Sequence, residues 1–400
     1  MNIFIVLGVM FLLVFIIGIG LERIRIPWIF GALLIGLGLA FNNPVQQITD
    51  SESFTFLAQL GMFFLLFLIG FQLDFKHIKG LKKIIITSSF GIIISEAIVG
   101  GIFIHFVFNL EWFVSIIVAL SFATVGEAVL IPILDEFKIT KTKFGQAIIG
   151  IGTFDDILEV LVVVLVAISL PSLQSGSGFN VSGTNSIVSA LISLAGLFIL
   201  AVALSRIKSR MGPDSFFKTN DLYPLLFAIL FGFIGVGSLT GIDLSTLGAL
   251  IAGLSVRNFL SKDHLESVEV YLKALTYGFF APIFFLHVGL DTDMEYIFSY
   301  PLMICAIILI ASAVKIAASC VIGRKEFGLR RSVVMGLALS VRFSTSIVII
   351  KVLFQNDVIG IDLYSVLIGS TAMFTFIVPI LLSWLIPKWH LQPQSAVQRS

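Results

Sequence analysis

Asp155 and Asp156 stand side by side in Gly150-Ile151-Gly152-Thr153-Phe154-Asp155-Asp156, near the middle of an apolar run over residues 146–170. Two like charges on neighbouring residues in a low-dielectric setting cannot both stay ionised cheaply. A carboxylate held at that margin binds a proton or a metal cation, and binding one excludes the other. That competition is the chemistry of coupled ion exchange. The plain alternative is a pair of acids neutralised by buried bases.

Six more ionisable residues fall inside apolar runs: Glu96, Glu127, Glu159, Lys315, Arg342 and Lys351. A charge at the centre of a bilayer costs about 2.5–3.5 kcal/mol on insertion scales, so each needs a partner or a task. Lys315 is the natural counter-charge to Asp155. Its ammonium would be released when the aspartate takes a proton, and a buried lysine can itself carry a proton; a fixed salt bridge is the other reading. Glu96 lies 219 residues before Lys315 and is expected to pair with a base. Glu159 follows Asp155 by four residues, one helical turn, where it could feed protons or face a cytosolic funnel. Lys351, near the outer end of its run, is expected to snorkel, and His287 to be a packing residue.

Two runs carry the signs of a break. Run 112–134 contains Thr124-Val125-Gly126-Glu127 and then Pro132, and run 332–354 contains Ser340-Val341-Arg342-Phe343-Ser344-Thr345-Ser346. Helical backbone can unwind at membrane depth where it lines a cavity. Freed carbonyls and hydroxyls, Ser344 among them, would then offer hard oxygen ligands, and Glu127 and Arg342 could neutralise the broken ends. The second segment has neither Pro nor Gly, so simple kinking is its alternative.

The elements that must hold these residues are membrane helices. Hydrophobic residues make up 58% of the 400 and charged residues 12%, about half of what a soluble surface needs. A span takes about 20 mostly apolar residues. About thirteen runs qualify: 2–20, 28–47, 55–73, 84–108, 112–134, 146–170, 186–205, 222–239, 243–259, 271–290, 302–322, 332–354 and 363–386. Of the 25 Lys and Arg, 22 fall in every second loop or the tail, while loops 42–54, 171–185 and 291–301 have none. Basic loops stay cytoplasmic. The N-terminus is therefore expected outside and the C-terminus inside a cell membrane, and the first run is expected to be a retained helix. Cys305 and Cys320, fifteen residues apart on one run, would sit about 22 Å apart. They read as small core residues.

The chain also repeats itself. Gly31-Ala32-Leu33-Leu34-Ile35-Gly36-Leu37 matches Gly248-Ala249-Leu250-Ile251-Ala252-Gly253-Leu254 at five of seven positions. Phe67-Leu68-Ile69-Gly70-Phe71-Gln72-Leu73-Asp74 similarly matches Leu286-His287-Val288-Gly289-Leu290-Asp291-Thr292-Asp293. The loop pattern puts Asp74 inside and Asp293 outside. Runs 1–6 and 8–13 thus read as two inverted repeats, a transporter architecture with its site near the midplane.

With these residues in view, the chain resembles the monovalent cation:proton antiporter superfamily, particularly its bacterial sodium(potassium)/proton exchanger branch. The likeness rests on Leu60-Gly61 through Gly70, Leu247-Gly248-Ala249 through Gly253, Phe284-Phe285 through Gly289-Leu290, and most specifically Asp155-Asp156 with Lys315. It implies an all-α polytopic fold in a homodimer. Residues 1–83 and 222–300 would form a dimerisation domain, and 84–170 and 301–386 a core domain. Residues 171–221 would be a linker helix with its loops, and 387–400 a cytoplasmic tail. By the same resemblance Asp156 binds the cation, Asp155 pairs with Lys315 and exchanges protons, and Thr124 matches the threonine of the family's first helix break. In that family two aspartates in series go with electrogenic exchange, so the resemblance implies it here. Phe343-Ser344 after Arg342, and Glu127, depart from the family pattern.

The leading reading is exchange of sodium or lithium for protons by alternating access. A potassium/proton antiporter is the first alternative. A sodium-coupled organic-anion symporter, wanting fewer acids and more uncharged oxygens, is the second, and a channel or sensor without exchange the third. Partners are the ions, protons and membrane lipids. No Walker loop, GxSxG or metal-spaced His/Cys set points to an enzyme or a cofactor, and a net charge of +1 gives no footing for nucleic acid.

Overall fold

The computed structural model describes residues 2–24, 26–72, 82–174, 184–211, 219–239, 244–260, 262–342 and 344–391. Asp74, Phe343 and the tail beyond 391 lie outside the described residues. So do the side chains of Glu127, Asp156 and Glu159, whose backbone is helical. Among the described residues all regular structure is helical.

The chain runs through α1 (Ile3–Arg23), α2 (Phe30–Phe41), α3 (Gln46–Thr49), α4 (Glu52–Gln72) and α5 (Lys82–Phe108). It continues through α6 (Trp112–Phe122), α7 (Glu127–Glu136), α8 (Lys143–Gln174), α9 (Thr184–Met211), α10 (Thr219–Gly237) and α11 (Ser245–Phe259). Next are α12 (Lys262–Leu275), a π-helical turn (Thr276–Phe280) and α13 (Ala281–Leu290). Last come α14 (Met294–Ser299), α15 (Pro301–Phe327), α16 (Leu329–Ala338), α17 (Ser344–Gln355) and α18 (Ile361–Lys388). Among the described residues six helices are long and apolar enough to cross a membrane, and five shorter apolar helices accompany them.

Two compact units are present. The first takes in residues 1–6, 45–73 and 163–287. Within it α4 and α11 meet backbone to backbone. A side chain at Gly70 would lie 2.1 Å from the Leu250 carbonyl, and one at Gly253 would lie 2.0 Å from that of Phe67. Only glycine permits such an approach, and close packing is what joins helices where lipid removes the hydrophobic drive. The π turn stacks Phe280 on Phe64 of α4, centroids 4.2 Å apart. One extra residue per turn keeps the long helix from α12 to α13 continuous where a plain run 271–290 was expected.

The second unit takes in residues 7–44, 74–162 and 288–400. A side chain at Gly289, at the end of α13, would come within 2.6 Å of the Leu33 carbonyl in α2. The repeated glycine segments are thus used reciprocally: the first copy in α2 receives Gly289, and the second copy in α11 receives Gly70. The cysteine expectation needs correction. Cys305 is exposed and Cys320 half-buried, both as free thiols. α15 turns much of its surface outward, so a weakly polar thiol sits there at little cost.

Candidate functional site

Both predicted breaks are present. α6 stops at Phe122 and α7 starts at Glu127, while α16 stops at Ala338 and α17 starts at Ser344. The Gly126 N–H donates to the Val341 carbonyl at 2.7 Å, so each break supplies a partner for the other. The hydroxyls of Thr124 and Ser346 are hydrogen-bonded across the same crossing. Thr375 of α18 donates to the Arg342 carbonyl at 3.0 Å. The Gly126 N–H and the carbonyls of Val341 and Arg342 thereby find partners inside the protein, as membrane depth demands.

Lys315 lies at the centre. Its side chain is fully buried, and its Nζ donates at 2.6 Å to two carbonyls, Ala123 and Leu339. Those residues follow the last turns of α6 and α16. Helix C-termini carry the negative ends of the backbone dipoles, and a cation is favoured there. One ammonium therefore caps both half-helices. The sequence reading gave neutralisation of the broken ends to Glu127 and Arg342; in the structure Lys315 bonds the carbonyls at both ends. Gly336 makes the cap possible, because a side chain there would lie 2.5 Å from Ile316 Cα and 2.8 Å from the Lys315 carbonyl.

Glu96 of α5 supplies the balancing charge, as expected of an acid in need of a base. Its Oε1 accepts from Arg342 Nη2 at 2.9 Å, and its Oε2 is 3.5 Å from Lys315 Nζ. The Arg342 guanidinium, fully buried, also lies over the Phe122 ring at 4.0 Å and the Phe374 ring at 5.0 Å. Such cation–π contacts are worth most where both groups are desolvated. Asp155 is 3% exposed on α8, and its charge acts on both Lys315 and Arg342. The four buried charges balance: Glu96 and Asp155 against Lys315 and Arg342. All four, with Thr124 and Ser346, belong to the second unit.

The remaining predicted residues are placed as follows. Asp156 follows Asp155 in α8. Glu159 lies one turn further on, Glu127 opens α7, and Ser344 opens α17. Ser346, which sequence reasoning left unassigned, is the hydroxyl that meets Thr124. Its signal was its place two residues after Ser344 in a hydroxyl-rich segment. His287 stacks on Phe54 at 6.2 Å, a packing contact. Lys351 does not snorkel: it is buried and ion-paired with Asp291. An acid sixty residues away satisfies the ammonium inside the protein, so it has no need to reach for water.

With this geometry in place, the relatives are informative. The model of the family described as sodium/hydrogen exchanger, transmembrane, matches residues 9–388. The probable Na(+)/H(+) antiporter 3 of Methanocaldococcus jannaschii is 28% identical over 374 residues, covering 92% of this chain and 92% of its own. The Na(+)/H(+) antiporter of Enterococcus hirae is 25% identical over 385 residues, covering 92% and 94%. The solved structure of the sodium proton antiporter MjNhaP1 from M. jannaschii at pH 8 shares the fold, with a TM-score of 0.66 at 17% identity over 97% of this chain and 96% of that one. A match reaching from α1 to the end of α18 leaves no other assignment: the chain belongs to the transmembrane sodium/hydrogen exchanger family.

Proposed function

We propose that this protein exchanges a monovalent cation, sodium or lithium, for protons by alternating access, with Asp156 as the shared binding residue. The charge inventory around the crossing carries the proposal. Glu96, Asp155, Lys315 and Arg342 already cancel. The acid at position 156, next to Asp155 in α8, then adds one negative charge to a balanced buried set. A proton or a metal cation neutralises it equally well, which is the condition for competition. Hydroxyls at the crossing, Thr124 and Ser346, supply oxygen of the kind that hard cations prefer.

The two inverted repeats, with dimerisation domain 1–83 and 222–300 and core domain 84–170 and 301–386, complete the proposal. The reciprocal use of Gly70 and Gly289 against the two copies of the glycine segment supports it. So does the meeting of Glu96 and Lys315, which are 219 residues apart, the spacing of the repeats. We place the protein as a homodimer in the cell membrane, N-terminus outside and C-terminus inside. If two protons enter per cation, one net charge crosses. That charge is worth about 2.3 kcal/mol per 100 mV, about a fiftyfold concentration ratio.

The test is dequenching of a pH dye in proteoliposomes on adding sodium, lithium, potassium or calcium in turn. Sodium and lithium are expected to release protons. A response to potassium alone moves the reading to potassium/proton exchange, and no response to any cation rejects it.

A further inference from the structure

Lys351 and Asp291 form a half-buried ion pair that the exchange site does not use. Lys351 sits on α17, the half-helix that begins at the break. Its side chain is 4% exposed, whereas that of Asp291, just past α13, is 29% exposed. One partner is therefore open to its surroundings and the other is closed off. Such a step in exposure, at the end of an apolar helix, is what the boundary between a mouth and a closed interior requires. The rings of Phe354 and Tyr364 lie 5.5 and 5.7 Å from the ammonium and stack on each other at 4.2 Å. Two further contacts close the same seam. Tyr364 donates its hydroxyl to the Val288 carbonyl at 3.0 Å, and the Asp293 N–H donates to Ser365 Oγ at 2.8 Å.

These contacts tie the end of α13 to α17 and α18. An ion pair with one member buried is a poor source of stability, because desolvation offsets the attraction; a better-attested use is to specify one of two arrangements. Loop 291–301 has no Lys or Arg, which puts the seam on the outer side.

We propose that Lys351 and Asp291 are the external gate of the exchanger: closed as seen here, and parted when the binding site opens outward. This rests on the alternating-access reading above, in which α13 belongs to one domain and α17 to the other. The pair holds α17 by its far end, five residues beyond Ser346, and so also sets where the crossing stands. It acts on the exchanged ion through position and not through contact.

The test uses the full chain in inside-out vesicles, with Cys305 and Cys320 replaced by Ser. Lys351→Cys and Asp291→Cys are introduced together and joined by a short bis-maleimide, since a lysine–aspartate pair spans more than a disulfide does. Joining the two cysteines is expected to reduce sodium/proton exchange at least tenfold, while the same reagent leaves each single-cysteine variant at its untreated rate. A second variant, Lys351→Met with Asp291→Asn, removes the charges and keeps the packing. Opening the gate lowers the share of cytosol-facing protein and with it the apparent affinity from that side. The half-saturating cytosolic sodium concentration is expected to rise at least threefold with the melting temperature unchanged. Joined protein that exchanges at the unjoined rate, or a charge-free variant with ordinary half-saturation, overturns the gate. Failure of the unmodified protein to exchange any cation for protons overturns the function instead, and with it the gate.

Discussion

The Gly126 N–H reaches the Val341 carbonyl at 2.7 Å. Each of these residues lies where its own helix has stopped, so each break is completed by the other. Lys315 then donates to the carbonyls of Ala123 and Leu339, one from each broken helix. The crossing, its hydroxyls and its charges are therefore one structure, and changes to any part of it have foreseeable consequences.

Lys315→Met removes the cap from both half-helices and leaves Glu96 with Arg342 alone. Breaking a buried ion pair by removing one member costs about 3–5 kcal/mol. A large fall in melting temperature in detergent is expected, together with lowered charge movement per cation. Thermal unfolding and electrical recording on supported membranes measure the two effects. An unchanged melting temperature and charge-to-ion ratio would reject the role.

Glu96→Gln leaves Arg342 and Lys315 as two buried cations with Asp155 as the remaining described acid acting on them, and is expected to destabilise about as much as Lys315→Met. Combining Glu96→Gln with Arg342→Met removes one of those cations. The double variant is expected to be more stable than the sum of the single losses predicts, because residues in direct contact are not additive. Melting temperatures of the four proteins complete the cycle, and strict additivity would contradict the pairing.

Gly336→Ala tests the close approach of α15 and α16. The new methyl would lie 2.5 Å from Ile316 Cα, which is backbone and cannot rotate away. Overpacking of this kind costs about 1–3 kcal/mol. Since Leu339, whose carbonyl accepts from Lys315, follows directly on α16, exchange should weaken along with stability. A variant as stable and as active as the unaltered protein would show that Lys315 does not depend on this contact.

Ser346→Ala removes one hydroxyl from the crossing and keeps the fold. Stability should fall by about 1 kcal/mol or less, while the half-saturating cation concentration rises. Initial rates against cation concentration separate the two, and an unchanged half-saturation would remove Ser346 from the cation's surroundings.

Much of this arrangement could be read from residue types. Gly126 and the hydroxyls around Arg342 gave away both breaks, because backbone freed at membrane depth needs small and polar neighbours. The glycine segments announced tight crossings, and α2, α4, α11 and α13 make them. Partners were harder. Lys351 looked like a snorkelling residue because it lies near the outer end of its run; Asp291 satisfies it from sixty residues away. The double capping by Lys315 was invisible for the same reason, since it depends on where two separate breaks come to rest. Cys305 looked buried because an apolar run does not tell which of its faces meets lipid and which meets protein.

The central claim is that a proton and a cation compete for Asp156. Initial exchange rates in proteoliposomes, taken over a range of sodium concentrations at several pH values, test it most directly. Competition predicts that the half-saturating sodium concentration climbs as the pH falls, and that Asp156→Asn, folded and helical, exchanges nothing at any pH. A half-saturation that stays fixed across the pH range, or an Asp156→Asn protein that exchanges at the full rate, would contradict the account.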